Sequence, residues 1–278
     1  MADAEPAAVF AVANAAIVRG DAPGAIAAID AALALGADPE LHLLRGQLAY
    51  LLCDWEPARA HFESAVRVFE ALNRLPRAAL TASWLGRLYF DGIGHQLAAR
   101  GWFARADRLL EQEGPCVERG WVAIPVVGCS VANVDELEQK ARLALEVGRQ
   151  FGDAGLEAKA LADGGLALVT HGRVRQGMSW LDEAMAMVTG GLVENPVAAT
   201  GIRCCVMSAC ERCGDLGRAE AWLSMMDERN PILYSHCRIA LASLFCELGR
   251  WGEADVILQQ VVEVGGLNTH KNRVMAQA

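Results

Sequence analysis

The stretch "GIRCCVMSACERCGD", residues 201–215, places four cysteines within ten positions. Cys210 and Cys213 have the C-x-x-C spacing that occurs in zinc sites and in redox-active sites. A zinc ion needs thiolate ligands that converge on one point, each about 2.3 Å from the metal. Whether these sulfurs converge depends on the element that carries them.

The repeat pattern described below places the four cysteines on one helix. On that helix Cys204, Cys205, Cys210 and Cys213 point about 0°, 100°, 240° and 180° around the axis and rise over roughly 13 Å. Sulfurs spread in this way cannot bind one ion together. We therefore expect these cysteines to act as small apolar packing residues, and "CGD" (213–215) to be the turn into the next helix.

Two chemical alternatives for the cysteines stay open. Cys210 and Cys213 share a face and could supply half of a metal site, completed by Cys246, Cys237 or His236 of a neighbouring helix. One cysteine of the stretch could instead be a redox-active thiol.

The rest of the sequence offers little further chemistry. It contains no H-E-x-x-H, no G-x-x-x-x-G-K-[ST], no G-x-G-x-x-G after a strand and no G-x-S-x-G. Its six histidines are scattered, and His42, His61 and His95 are expected on helix or turn surfaces. We therefore expect no enzymatic activity, no metal and no cofactor.

The composition favours closely packed helices that stay in solution. The 278 residues are 53% hydrophobic but only 6% aromatic, and alanine is abundant. The net charge is −9 and the arginines are mixed with acidic residues, so we expect no direct binding of nucleic acid by this chain. The longest apolar run ends at Arg19 and is too short for a membrane span.

The beginning of the chain indicates a cytoplasmic protein. The first residues, "MADAEPAAVF", are acidic where a secretory signal peptide carries positive charge. The nine cysteines are then expected to be reduced, and their odd number does not suggest a disulfide framework.

An internal repeat organises most of the sequence. A small residue is followed twelve positions later by a second small residue, and then by two more packing residues at helical spacing. This pattern occurs from Gly46 (Ala58, Phe62, Ala65), Gly165 (Gly177, Leu181, Ala184), Met207 (Ala219, Leu223, Met226) and Ala242 (Ala254, Leu258, Val261). From Gly86 it runs through Tyr89, Ala99, Phe103 and Ala106, with one extra residue before the second helix.

The repeat predicts pairs of helices that cross closely at their small residues and stack on one another. We expect an all-α fold, a tetratricopeptide-like α-solenoid of seven helix pairs in a right-handed superhelix. The predicted pairs occupy about 5–36, 39–72, 76–112, 116–152, 154–189, 196–228 and 231–264. Residues 1–264 would form one solenoid, followed by a flexible polar tail at 265–278. Pro125 would kink or break the first helix of the fourth pair.

The ordered set of repeats resembles the tetratricopeptide region of large LuxR-type transcriptional regulators from actinobacteria. The stretches that carry the resemblance are "ASWLGRLYFDG" (82–92), "ARGWFARADRLLEQEGPCVERGWVAIP" (99–125), "GLALVTHGRVRQGMSWLDEAM" (165–185) and "CCVMSACERCGDLGRAEAW" (204–222). In such regulators the repeats sense a ligand or a protein, while a separate helix-turn-helix module reads DNA. No basic recognition helix follows the repeats here, so the resemblance implies the sensing half alone.

The first helix of each pair is expected to face the concave groove of such a solenoid. The positions that would line this groove form a mixed polar and apolar surface, suited to a protein, peptide or small-molecule ligand. They are Gln47, Tyr50, Ser83, Arg87, Phe90, Lys159, Leu166, Cys204, Ser208, Glu211, His236 and Ser243. Cys204 is expected to face the groove near His236.

The sequence therefore predicts a non-enzymatic sensing module of a transcriptional regulatory system. A stand-alone protein–protein adaptor is the alternative, and a thiol- or metal-based sensor or enzyme using Cys204–Cys213 is a further one. An exposed end of the solenoid could also contact a second copy and form a homodimer.

Overall fold

All the regular structure in the described part of the chain is helical. The structure is a computed structural model that describes residues 4–36, 38–124, 126, 133–224 and 235–263, with side chains described within 8–36, 38–124, 126, 133–222 and 239–259. These residues form fourteen α-helices and one π-helical turn, without a strand. The predicted all-α class is confirmed for this part of the chain.

The chain divides into two compact units, with the boundary between Glu118 and Arg119 inside helix α7 (Val117–Ala123). The first unit contains α1 (Ala4–Val18), α2 (Ala22–Leu33), α3 (Pro39–Leu51), α4 (Trp55–Ala71), α5 (Leu75–Arg87), the π-helical turn (Leu88–Gly92) and α6 (Gln96–Leu110). The second contains α8 (Val134–Phe151), α9 (Ala154–Thr170), α10 (Val174–Thr189), α11 (Pro196–Cys213), α12 (Leu216–Ser224), α13 (Ser235–Glu247) and α14 (Trp251–Glu263).

The helices pair as the repeat predicts. Each of the seven predicted ranges contains two successive helices, and within each unit neighbouring helices pack on one another in chain order, as in a solenoid. Helix α7 ends at Ala123, two residues before Pro125, in agreement with the predicted break. Pro125 itself and the predicted tail at 265–278 lie outside the described residues.

Helix ends follow from side chains that can be read in the sequence. Asp38 caps α3 by accepting hydrogen bonds from the backbone N–H groups of its first turn, and Pro39 opens that helix. Asn195 and Pro196 do the same for α11. Gly214 ends α11 in the left-handed conformation, with a φ of 68°, which confirms "CGD" as a turn.

The crossing points of the pairs explain the small residues of the repeat. A Cβ atom added to Gly46 would lie 2.6 Å from the ring of Phe62, and one added to Gly86 would lie 2.6 Å from the ring of Phe103. In the α9–α10 pair, a Cβ on Gly165 would lie 2.7 Å from the backbone oxygen of Gly177. The predicted small residues therefore let the two helices of these pairs approach more closely than a methyl group allows.

The extra residue of the third pair forms a wide helical turn. Gly86 and Ala99 are separated by thirteen positions, and the chain between them contains the π-helical turn Leu88–Gly92. A π-turn takes up one more residue than an α-turn, so the insertion is absorbed before α6 begins.

One packing prediction of the repeat is wrong. The repeat assigns Leu258 to the packed face of α14, but its side chain is 36% exposed.

The crossing points can be tested with a pair of alanine substitutions in the first unit. Gly46→Ala introduces a methyl group against Phe62, which is fully buried, and we expect it to lower the free energy of unfolding by about 1–3 kcal/mol. Gly101→Ala on α6 has open space at its Cβ, so the better helix propensity of alanine should raise stability by roughly 0.5–1 kcal/mol. Urea unfolding of both variants provides the measurement, and a Gly46→Ala chain as stable as the wild type would refute the close crossing.

Candidate functional site

In the first unit, the predicted groove residues lie at the C-terminal ends of α3 and α5 and on the π-helical turn. Tyr50 is buried, at 8% exposure, and its hydroxyl donates a 2.9 Å hydrogen bond to Asp91 Oδ2 on the π-helical turn. Gln47, Arg87 and Phe90 are half-buried. Ser83 is buried and its hydroxyl donates to the backbone oxygen of Leu80 at 2.7 Å, which leaves it little capacity to bind a partner.

Tyr50 belongs to an aromatic cluster that supports this end of the unit. Its ring packs roughly perpendicular to those of Trp55 and Trp84, with centroids 5.8 and 5.4 Å away, and Trp84 stacks on Phe62 at 5.9 Å. Trp55 in turn lies against Gly92, where an added Cβ would be 2.7 Å from the indole. The cluster fixes the π-helical turn and with it the positions of Phe90 and Asp91.

In the second unit, Lys159 lies in a mostly buried position between α9 and α11. Its ammonium forms an ion pair with Asp163, one turn further along α9, and the two side chains are only 14% and 9% exposed. Lys159 Nζ is also 4.0 Å from the Sγ of Cys205. Gly201 on α11 makes room for the lysine, because an added Cβ would be 3.0 Å from Lys159 Cε.

The contact between Lys159 and Gly201 brings equivalent repeat positions of α9 and α11 together. Lys159 precedes Gly165 by six residues, and Gly201 precedes Met207 by six residues, so equivalent positions of successive repeats touch. Because α11 also packs against α13, the three first helices α9, α11 and α13 form one layer in this unit.

The predicted residues of this layer differ in accessibility. Leu166, Glu211 and Ser243 are half-buried and lie on the three helices in turn, whereas Ser208 is buried at 5% exposure. The side chain of His236 lies outside the described residues, so its predicted proximity to Cys204 stays a prediction.

The expectation that every cysteine is reduced is wrong for Cys204. Cys204 on α11 is disulfide-bonded. A sulfur held in this bond is not a free thiol that could meet a ligand.

Cys210 is a packing residue, as the helical projection predicts. It is fully buried, and burial, followed by the nearby Cys213 and Asp215, raises the pKa of its thiol to about 12. A thiol of this kind stays protonated at neutral pH and is neither a good nucleophile nor a ready zinc ligand. Among the described residues, no group of three or more His, Cys, Asp or Glu side chains could hold a metal ion.

The sequence interpretation missed a histidine pair in the first unit. His42 on α3 and His61 on α4 have their Nδ1 atoms 2.9 Å apart and their ring centroids 5.1 Å apart. The predicted contact between Gly46 and Phe62 could have revealed this pair from the sequence. His42 lies one turn before Gly46 and His61 directly precedes Phe62, so the crossing brings the two rings together.

The electrostatic surroundings keep both imidazoles neutral. Burial, followed by the charge of Arg45 and by His42, lowers the pKa of His61 to about 4, and Asp30 opposes this. Burial also lowers the pKa of His42. A hydrogen bond between the Nδ1 atoms needs one donor and one acceptor, which two neutral rings supply.

Comparisons with protein-family models and with curated proteins find no match to this chain. None of the described helices is both long and apolar enough to span a membrane.

The histidine pair predicts a specific dependence of stability on pH. Unfolded histidines bind protons below about pH 6.5, whereas His61 in the folded chain does so only near pH 4. The free energy of unfolding should therefore fall as the pH drops from about 6.5 to about 4, by on the order of 2–3 kcal/mol. Urea unfolding of the wild type and of His61→Gln across this range checks the prediction, and equal slopes for the two chains would contradict it.

The ion pair between Lys159 and Asp163 predicts a large effect of removing one partner. Lys159→Ala removes the cation that pairs with a nearly buried carboxylate, and we expect a loss of roughly 3–5 kcal/mol in the stability of the second unit. The control is Arg149→Ala, which removes an ion pair to Glu157 whose arginine is 60% exposed and should cost less than about 1 kcal/mol. Thermal and chemical unfolding provide the measurement, and similar losses in the two variants would count against a buried pair.

Proposed function

We propose that the chain is a non-enzymatic regulatory module whose helical repeats bind a protein, peptide or small-molecule ligand. In this proposal the repeats are of the tetratricopeptide type, wind as a right-handed superhelix and act in the cytoplasm. The chain would be related to the sensing region of LuxR-type transcriptional regulators, the family that the repeat stretches resemble.

The observation that carries the proposal is the layer formed by α9, α11 and α13. Leu166, Glu211 and Ser243 lie half-buried on these three neighbouring helices, and the contact between Lys159 and Gly201 aligns α9 with α11 by their repeat. An aligned layer presents a row of apolar and polar side chains on rigid helices. Such a surface suits recognition of an extended or helical partner.

The charge of the chain supports a protein or small-molecule ligand rather than DNA. With a net charge of −9, the chain lacks the excess of cations that binding to the phosphate backbone requires. Ligand binding would act by favouring one arrangement of the repeats or one assembly over another. A homodimer through an end of the solenoid would be one such assembly.

Site-specific photo-crosslinking in the native host tests the proposed face. A photoreactive amino acid replaces Leu166 on the face or, as a control, Glu183, which is exposed on α10. We expect one identified partner to crosslink at position 166 but not at 183, and Glu211→Lys to abolish that crosslink while Glu183→Lys preserves it. A DNA-binding regulator as this partner would support the regulatory role.

The other outcomes of this experiment are equally informative. A partner that takes no part in transcription would favour the alternative of a stand-alone adaptor. If no partner crosslinks at 166, mass spectrometry of small molecules that co-purify with the wild type and with Leu166→Glu provides the second measurement. Identical results for these two chains would refute the proposed face.

A further inference from the structure

The histidine pair of the first unit has a geometry that goes beyond a structural hydrogen bond. His42 and His61 come from the two helices of one pair, α3 and α4, and both side chains are half-buried. Their Nδ1 atoms are 2.9 Å apart, and their ring planes are inclined by 42°. We propose that the two Nδ1 atoms together bind a divalent transition metal ion that prefers ligands at right angles, such as Cu(II) or Ni(II), with water as its other ligands.

The separation of the two nitrogens is compatible with a metal that holds neighbouring ligands at right angles. With metal–nitrogen bonds of 2.0–2.1 Å, two nitrogens 2.9 Å apart subtend an angle of about 90° at the metal. This is the angle between neighbouring ligands in square-planar and octahedral complexes, which Cu(II) and Ni(II) adopt.

The rings reach this arrangement by small rotations. In the hydrogen bond the lone pair of one Nδ1 points along the line to the other nitrogen, whereas a shared metal lies to one side of that line. Each ring therefore has to tilt, chiefly about its second side-chain torsion, which is soft in histidine. The proton between the rings moves to an Nε2 atom, so neither ring has to lose a proton overall.

The surrounding charges suit a neutral ligand pair. Asp38 and Arg67 act on His42 with opposite effects, as do Asp30 and Arg45 on His61. Arg45 is engaged with Asp30 through a 2.9 Å bond from its Nε.

The two imidazoles would be the only protein ligands in the described part of the chain, because no third His, Cys, Asp or Glu lies in position to join them. Such a site leaves several metal positions open to water or to a small ligand. A bound metal would also join α3 to α4 and would stabilise the folded first unit relative to its unfolded chain.

Titration with Ni(II) tests the site directly. The experiment uses the full chain without a polyhistidine tag and NiCl₂ at pH 7, because Cu(II) would oxidise the free thiols. Isothermal titration calorimetry should show one saturable site per chain that is lost in His42→Gln and in His61→Gln. The control His171→Gln, whose Nδ1 pairs with the Ala167 oxygen of its own helix, should bind as the wild type does.

Proton release separates the histidine pair from the cysteines. Metal binding to a thiol displaces a proton, whereas two neutral imidazoles release almost none. Titrations in two buffers with different ionisation enthalpies measure this number, and a value near zero is expected. Release of about one proton or more per metal, or binding that survives in both glutamine variants, would overturn the proposal.

A measurement on the wild type alone keeps the test valid if a variant fails to fold. Diethyl pyrocarbonate modifies accessible imidazoles, and peptide mass spectrometry reports which histidines have reacted. Ni(II) should lower the modification of His42 and His61 at least several-fold and leave His171 unchanged. If Ni(II) protects neither histidine of the pair, the Nδ1 contact is a structural hydrogen bond only.

Discussion

The close crossing of two helices at a residue without a side chain is the constraint on which this structure depends. Gly46 against Phe62, Gly86 against Phe103 and Gly165 against Gly177 leave no room for a methyl group. Each crossing fixes how far one helix of the pair is rotated and shifted relative to the other. Every contact between the two helices follows from that placement, including the histidine pair beside the Gly46 crossing.

Charged groups lie where one helix pair packs against the next. The ion pair between Lys159 and Asp163 lies between α9 and α11, and Arg45 binds Asp30 between α3 and α2. An isolated charge at such a seam would be costly, so each one has its counter-charge close by. The pair between Arg45 and Asp30 joins two helices, whereas Lys159 and Asp163 pair within α9 and neutralise each other where α11 covers them.

The sequence predicts the helix pairs well because their signals are local. Spacing of small residues, prolines at helix starts and Gly214 at a helix end all act within a few residues of one another. Side-chain partners depend instead on how the packed helices are rotated against one another, and the spacing of cysteines along the chain did not predict the disulfide of Cys204. The same limit explains Ser83, which was predicted at the groove from its helix position but is buried by its neighbours.

The candidate site was predictable only in part for the same reason. The positions of Leu166, Glu211 and Ser243 on successive first helices follow from the repeat. The burial of Tyr50 does not, because it depends on the aromatic rings of Trp55 and Trp84. The repeat also marks where a residue was inserted, but not the wide turn that accommodates it.

That wide turn has a consequence for how the repeat could evolve. An insertion inside an α-helix normally rotates everything beyond it by about 100° and would separate Gly86 from Phe103. Here the rotation is confined to Leu88–Gly92, and the crossing beyond it is intact. Insertions and deletions at this turn can therefore redirect Phe90 and Asp91 while the helix pair survives, which makes it a place where recognition can change without the loss of the fold.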